Sequence, residues 1–168
     1  MHILLTRPLE DCKELILKFS SLGHKVSHLP VIKVEPIKYE EPDYSQFKGI
    51  IFTSSNAIKN LDLNRVDKKI ECYCVGSATE KVAKLKGFQN IISAEGNVNN
   101  LKELILQNFD SKNGSLLYVS GEIVSSRLDK DLIFEGYSLK RLINYTVSST
   151  QEIKEEFRSQ LKASIPDI

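Results

Sequence analysis

The sequence has no tryptophan, one methionine and three cysteines in 168 residues. Cys12, Cys72 and Cys74 are odd in number and lack the spacing of a disulfide framework, so a stapled secreted scaffold is excluded and a reducing, cytoplasmic setting is expected. No apolar run exceeds about five residues, against the ~20 that cross a bilayer, so no membrane span is expected. Met1 to Leu5 enters a strand-like pattern directly, without a charged leader or a long apolar segment, and no secretory signal is read there. An excess of one charge is also missing. The 23 Lys and Arg stand against 22 Asp and Glu, for a formal charge of +1. Nothing global draws the chain to nucleic acid or an anionic membrane, so an anionic ligand has to be held by local geometry.

The usual chemical signatures are missing too. There is no G-x-G-x-x-G phosphate loop, no Walker motif and no G-x-S-x-G nucleophile elbow. His2, His24 and His28 are scattered, and Cys72 and Cys74 are expected to point to opposite faces of a strand. Neither a metal site nor a cofactor is expected.

What the sequence does have is a regular beat of short apolar runs and amphipathic stretches. His2–Leu5 is strand-like; Pro8 suits the first position of a helix carrying Leu9, Cys12, Leu15, Ile16 and Phe19, which stops at Gly23. Val26 to Leu29 reads as a strand, and Val31 to Glu35 as an extended segment bracketed by Pro30 and Pro36. Ile50–Phe52, Ile70–Val75, Asn90–Ile92, Ser115–Val119 and Ser138–Val147 continue as extended runs with helical patterns between them. Ser54 or Ser55 is placed to cap one of those helices, and Ser77 with Glu80 has the spacing of a capping box. Gln151 to Leu161 closes the chain with a further helical pattern. Strands alternating with helices predict an α/β protein with parallel sheets, whose ligands lie beyond the carboxyl ends of the strands.

The turns after those strands are Thr6-Arg7-Pro8, Thr53-Ser54-Ser55-Asn56, Gly76-Ser77-Ala78-Thr79 and Ser120-Gly121-Glu122. Their hydroxyls and free backbone N–H groups are donors suited to carboxylates. The plainer alternative is that Ser54, Ser55, Ser77 and Thr79 are helix caps and nothing more. Tyr145 shares strand parity with Leu139, Ile143 and Val147, and is read either as a core tyrosine or as a phenol reaching a cleft to donate a proton. Arg7 either binds a carboxylate or is solvated; Arg127, Lys130 and Arg141 read as surface charges.

Four pieces, Leu5-Thr6-Arg7-Pro8, Phe52-Thr53-Ser54-Ser55-Asn56-Ala57, Cys74-Val75-Gly76-Ser77-Ala78-Thr79 and Tyr145-Thr146, stand in an order and spacing that resembles the uroporphyrinogen-III synthases. The resemblance implies two flavodoxin- or Rossmann-like parallel α/β domains joined by a two-stranded connector, the first domain discontinuous. Residues 1–30 and 151–168 would belong to that first domain, 31–36 and 144–150 to the connector, and 37–143 to a complete inserted domain. Further strands of the first domain would be expected after residue 168, so the chain reads as incomplete there, with exposed edges that invite dimerisation or strand exchange.

The activity implied is cyclisation of linear hydroxymethylbilane, a polyanionic tetrapyrrole, with loss of water and inversion of the last pyrrole ring, without metal or cofactor. Carried over by motif, Tyr145 would assist departure of the hydroxyl. Thr53, Ser54, Asn56, Ser77 and Thr79 would hold carboxylates, with Arg7 across the cleft. An inactive tetrapyrrole-binding form and a generic flavodoxin-like module are the alternatives; a receiver module would need paired acidic residues where Thr6-Arg7-Pro8 stands.

Overall fold

Apolar residues at alternating and helical spacing build eight strands and six helices in the computed structural model, which describes residues 1–150, 153 and 155–168. The chain divides into two units, Met1–Glu35 with Val147–Ile168, and Pro36–Thr146.

The first unit contains β1 (His2–Leu5), α1 (Leu9–Ser21), β2 (Lys25–His28) and α6 (Glu155–Ala163). β1 and β2 pair in parallel, from His2 opposite Lys25 to Leu5 opposite His28. His2 is buried, and its ring bridges two hydroxyls: Nε2 lies 2.8 Å from Ser27 Oγ and Nδ1 3.1 Å from Ser164 Oγ. The backbone N–H groups of Asp167 and Leu4 donate to His2 O and Ile168 O, both at 2.7 Å. The helix expected over Gln151 to Leu161 is placed at Glu155–Ala163; Gln151, Glu152 and Lys154 lie outside the described residues.

The second unit holds β4 (Phe47–Phe52), α2 (Ser55–Lys59), β5 (Glu71–Val75), α3 (Gly76–Leu85), β6 (Asn90–Ala94), α4 (Val98–Asn108), β7 (Ser115–Gly121) and α5 (Leu128–Phe134). Along β3 (Ile32–Pro36) and β8 (Leu139–Ser149) the chain passes between the units. The sheet order is β3-β8-β7-β4-β5-β6, and β8-β7, β7-β4, β4-β5 and β5-β6 are all parallel. One face packs Ile51, Tyr73, Leu116 and Tyr118 against Leu101 and Ile105 of α4 and Leu128 and Leu132 of α5. On the other, Phe52 meets Phe88 edge-on at 5.7 Å, with Ala57, Ile58 and Ala83 buried beside them. With both faces covered, the central strands read as continuous apolar runs, as parallel sheets require.

Three local expectations are corrected. Cys72 and Cys74 share a face of β5, because strand side chains repeat every second residue, and their sulfurs lie 3.7 Å apart. The hydrogen bond to Cys74, followed by burial, pushes the Cys72 thiol well above its ordinary pKa. Both thiols are fully buried, an environment in which cysteine is chemically quiet.

Ser77 does not cap α3. The helix starts at Gly76, whose φ of +76° turns the chain straight from strand into helix, and Val75 occupies the cap position without a side-chain bond. Ser77 therefore sits in the first turn, and Glu80 pairs with Lys84 instead. A reciprocal capping box does exist at α4. Asn97 Oδ1 accepts from Asn99 and Asn100 N–H, and Asn100 Oδ1 accepts from Asn97 N–H.

Arg141 is not a free surface charge. Its guanidinium donates to Ser120 Oγ (2.8 Å), Gly121 O (2.8 Å) and Glu122 O (3.0 Å), and lies 3.9 Å from Asp129. Carbonyls at the end of β7 have run out of ladder partners, and Arg141 satisfies them.

Candidate functional site

The second unit reverses its strand order between β4 and β7. From β4 the chain proceeds outward through β5 and β6, then returns to lay β7 and β8 on the other side. In an open parallel sheet the crevice at such a reversal, beyond the carboxyl ends of the two strands, is where ligands bind. Here that place is formed by Thr53-Ser54-Ser55-Asn56 after β4 and Gly121-Glu122 at the end of β7.

Thr53, Ser54 and Asn56 are all half-buried. Ser54 caps α2, its Oγ accepting from Asn56 N–H at 3.2 Å. Thr53 Oγ1 lies 3.1 Å from Tyr118 Oη. Tyr118 is almost completely buried, and burial pushes its phenol upward while Thr53 and Arg141 pull the other way. It went unrecognised in the sequence because, within Ser115–Gly121, it looks like any aromatic on a core strand. Only the β4–β7 register, with Ile51 opposite Tyr118, brings it next to Thr53.

Tyr145 lies at the same end of the sheet, 8% exposed, against Gly121. Its carbonyl accepts from Glu122 N–H at 2.9 Å, and the next residue, Thr146, donates from Oγ1 to Glu122 Oε2 at 2.9 Å. Its expected parity with Ile143 does not hold. Ser120 pairs with Ile143, but Gly121 pairs with Tyr145, so the register skips Asn144. Ser120 and Gly121, being consecutive on a strand, face opposite ways, and their partners do the same. One extra residue in β8 thus moves Tyr145 to the face opposite Ile143.

The remaining candidates are less closely gathered. Ser77 is exposed in the first turn of α3, whereas Thr79, further along the same helix, is only 4% exposed. Arg7 belongs to the first unit, exposed just after β1, where its carbonyl accepts from His28 Nε2 at 2.8 Å. No group of three or more His, Cys, Asp or Glu positioned for a metal occurs among the described residues. None of the helices among them is long and apolar enough to cross a membrane.

A family model described as uroporphyrinogen-III synthase HemD matches residues 13–168. The chain belongs to the uroporphyrinogen-III synthase family. Its fold is similar to the crystal structure of uroporphyrinogen-III synthetase from Helicobacter pylori, with a TM-score of 0.60 at 21% identity over 84% of this chain and 63% of that one. A mutant uroporphyrinogen III synthase from the extremely thermophilic bacterium Thermus thermophilus gives a TM-score of 0.54 at 14% identity, over 89% of this chain and 64% of that one. The chain therefore spans a little under two thirds of either synthase. No curated protein matches the chain. At these identities the likeness to solved synthases concerns the α/β fold with its mostly parallel sheets.

Proposed function

We propose that this chain carries the cyclising site of a uroporphyrinogen-III synthase, a lyase that closes hydroxymethylbilane to uroporphyrinogen III. The terminal hydroxyl of the linear tetrapyrrole leaves as water, giving an azafulvene. The ring then closes with the last pyrrole inverted through a spiro intermediate. The observation that carries this reading is the placement of Thr53, Ser54 and Asn56 just beyond the carboxyl end of β4, with Tyr145 of β8 opposite Gly121 at the carboxyl end of the neighbouring β7, within a chain of that family.

Tyr145 is the residue assigned to the leaving hydroxyl, as a hydrogen-bond or proton donor, one of the roles a positioned phenol can take in general-acid catalysis. Thr53, Ser54, Asn56 and Ser77 are assigned to substrate carboxylates through side-chain and backbone donors. Arg7, exposed just after β1 in the first unit, is assigned by itself as a charged donor to a carboxylate. The substrate bears acetate and propionate on every ring, so many modest neutral donors suit it better than one strong charge. A cytoplasmic location fits the three free cysteines.

The test is incubation with freshly generated hydroxymethylbilane, followed by oxidation and chromatographic separation of the isomers. Spontaneous closure gives the uninverted type I product, so type III above the enzyme-free control is the expected result. Type I alone would refute activity of this chain. Tyr145→Phe is expected to lower the rate of type III formation by roughly 10²-fold or more, the scale on which a positioned general acid acts. An unchanged rate would remove the acid role.

A further inference from the structure

The skipped residue beside Tyr145 is itself unusual. Asn144 is fully buried, its Nδ2 donates to Ala57 O of α2 at 2.8 Å, and its Oδ1 has no hydrogen-bond partner among the described residues. A buried amide with one end unsatisfied costs stability, and an apolar residue would serve a purely structural strand better at this depth. What the amide does is fasten β8, at the residue before Tyr145, to the helix that follows Ser54. The backbone N–H of Ile37 donates to Asn144 O at 2.9 Å and holds the residue from its other side.

Gly121 supplies the second half of the arrangement. A Cβ built there would stand 2.7 Å from Tyr145 Cζ, 2.8 Å from Cε2 and 3.0 Å from the hydroxyl oxygen. Real Cβ atoms do not approach other heavy atoms so closely, so the phenol occupies space that any other residue at position 121 would take. The backbone at Gly121 is also held from outside, by Arg141 on its carbonyl.

We propose that Asn144 and Gly121 are positioning residues for Tyr145: the Asn144 bulge turns the phenol away from Ile143's face, and the missing side chain at Gly121 leaves the seat in which its hydroxyl end lies. This rests on the reading of Tyr145 as the donor to the leaving hydroxyl, and deepens it. The Asn144–Ala57 bond registers the donor against α2, so the phenol and the Ser54–Asn56 turn are set by one framework. Bulges beside functional sites commonly re-aim a side chain in this way.

The test uses the full chain with tyrosines labelled at Cζ with ¹³C. There are six tyrosines, and the Tyr145 signal is assigned by its loss in Tyr145→Phe. In Gly121→Ala and in Asn144→Leu, the Tyr145 signal is expected to move while those of Tyr39, Tyr44, Tyr73 and Tyr137 stay in place. A Tyr145 signal unmoved in both variants would overturn the proposal, whether or not the chain is active. Asn144→Leu removes a buried hydrogen bond and is the variant more exposed to misfolding; Gly121→Ala, on its own, keeps the question decidable.

In the cyclase assay, Gly121→Ala is expected to lower kcat by roughly 10²-fold, as far as loss of the phenol itself, with KM within about twofold. The double variant Gly121→Ala with Tyr145→Phe should lose nothing further. Independent, multiplying losses would overturn the positioning role. Full activity in Tyr145→Phe would instead remove the acid reading, and the labelled signal would still decide whether Gly121 and Asn144 place the ring.

Discussion

Several tyrosine side chains in this protein are held away from water, and each makes the fold sensitive to alkali. Burial first, then the neighbouring Tyr39, Glu41 and Asp62, push the Tyr44 phenol above its ordinary 10.0. Burial and the hydrogen bond to Glu71 do the same for Tyr73, and burial does so for Tyr118. A group that keeps its proton longer when folded contributes stability that is complete below its unfolded pKa, and that is lost as pH rises toward the folded one. Denaturant midpoints should therefore be flat on this account up to about pH 10, the unperturbed tyrosine value, and fall above it. Phenolate absorbance from the buried tyrosines should appear together with unfolding. Ionisation of all three within a protein that is still folded would contradict the assignment. Among the candidate residues, the place of Thr53 and Ser54 after a strand was legible in sequence, and so was that of Tyr145 within an extended run, though not the face it takes. Tyr118 and Arg141 were not, since their partners come from β4 and β7, neighbours that only the folded sheet creates.

At the scale of elements, the two helix starts at α3 and α4 are informative because sequence spacing pointed to the wrong one. Ser77 makes no capping bond, whereas Asn97 accepts from two backbone N–H groups. Asn97→Ala is expected to destabilise the protein by about 1 kcal/mol, and Ser77→Ala by less than about 0.5 kcal/mol, in equilibrium denaturation. Equal losses would mean that α3 depends on Ser77 after all. The strand and helix beat itself was readable almost throughout, since a parallel sheet covered on both faces leaves dense apolar runs separated by amphipathic stretches. Element ends were less so. β4 begins at Phe47 and not at Ile50, because Lys48 and Gly49 interrupt the apolar pattern without interrupting the strand. Likewise the bulge at Asn144 has no signature in a run such as Leu142-Ile143-Asn144-Tyr145. It arises from pairing with β7, and pairing is not a property of β8 alone.

At the scale of the molecule, the two units differ in how they are made. Pro36–Thr146 is a single stretch of chain with a core on both faces of its sheet, whereas the other unit is assembled from Met1–Glu35 and Val147–Ile168. Its integrity depends on contacts that span the sequence, among them those of the buried His2. His2→Ala would leave the Ser27 and Ser164 hydroxyls without their shared partner. We expect it to weaken protection of amides in β1 and β2 by about 1–3 kcal/mol in hydrogen exchange, with those of β4, β5 and β7 unaffected. Equal loss across both units would show that they open together.

The bond from Ile37 N–H to Asn144 O has a consequence for the order of assembly. Bringing residue 31 to residue 150, where Thr150 N–H meets Val31 O, closes a loop of more than a hundred residues in an unfolded chain. Once the continuous unit has formed, positions 37 and 144 are already side by side, and only a few residues at each end remain free. The long search becomes a short one, with its entropy already spent by a unit that folds from its own contacts. A ribosome would release the inserted unit before the last residues of the split one, so synthesis and loop entropy favour the same sequence of events: the middle of the chain first, its two ends afterwards.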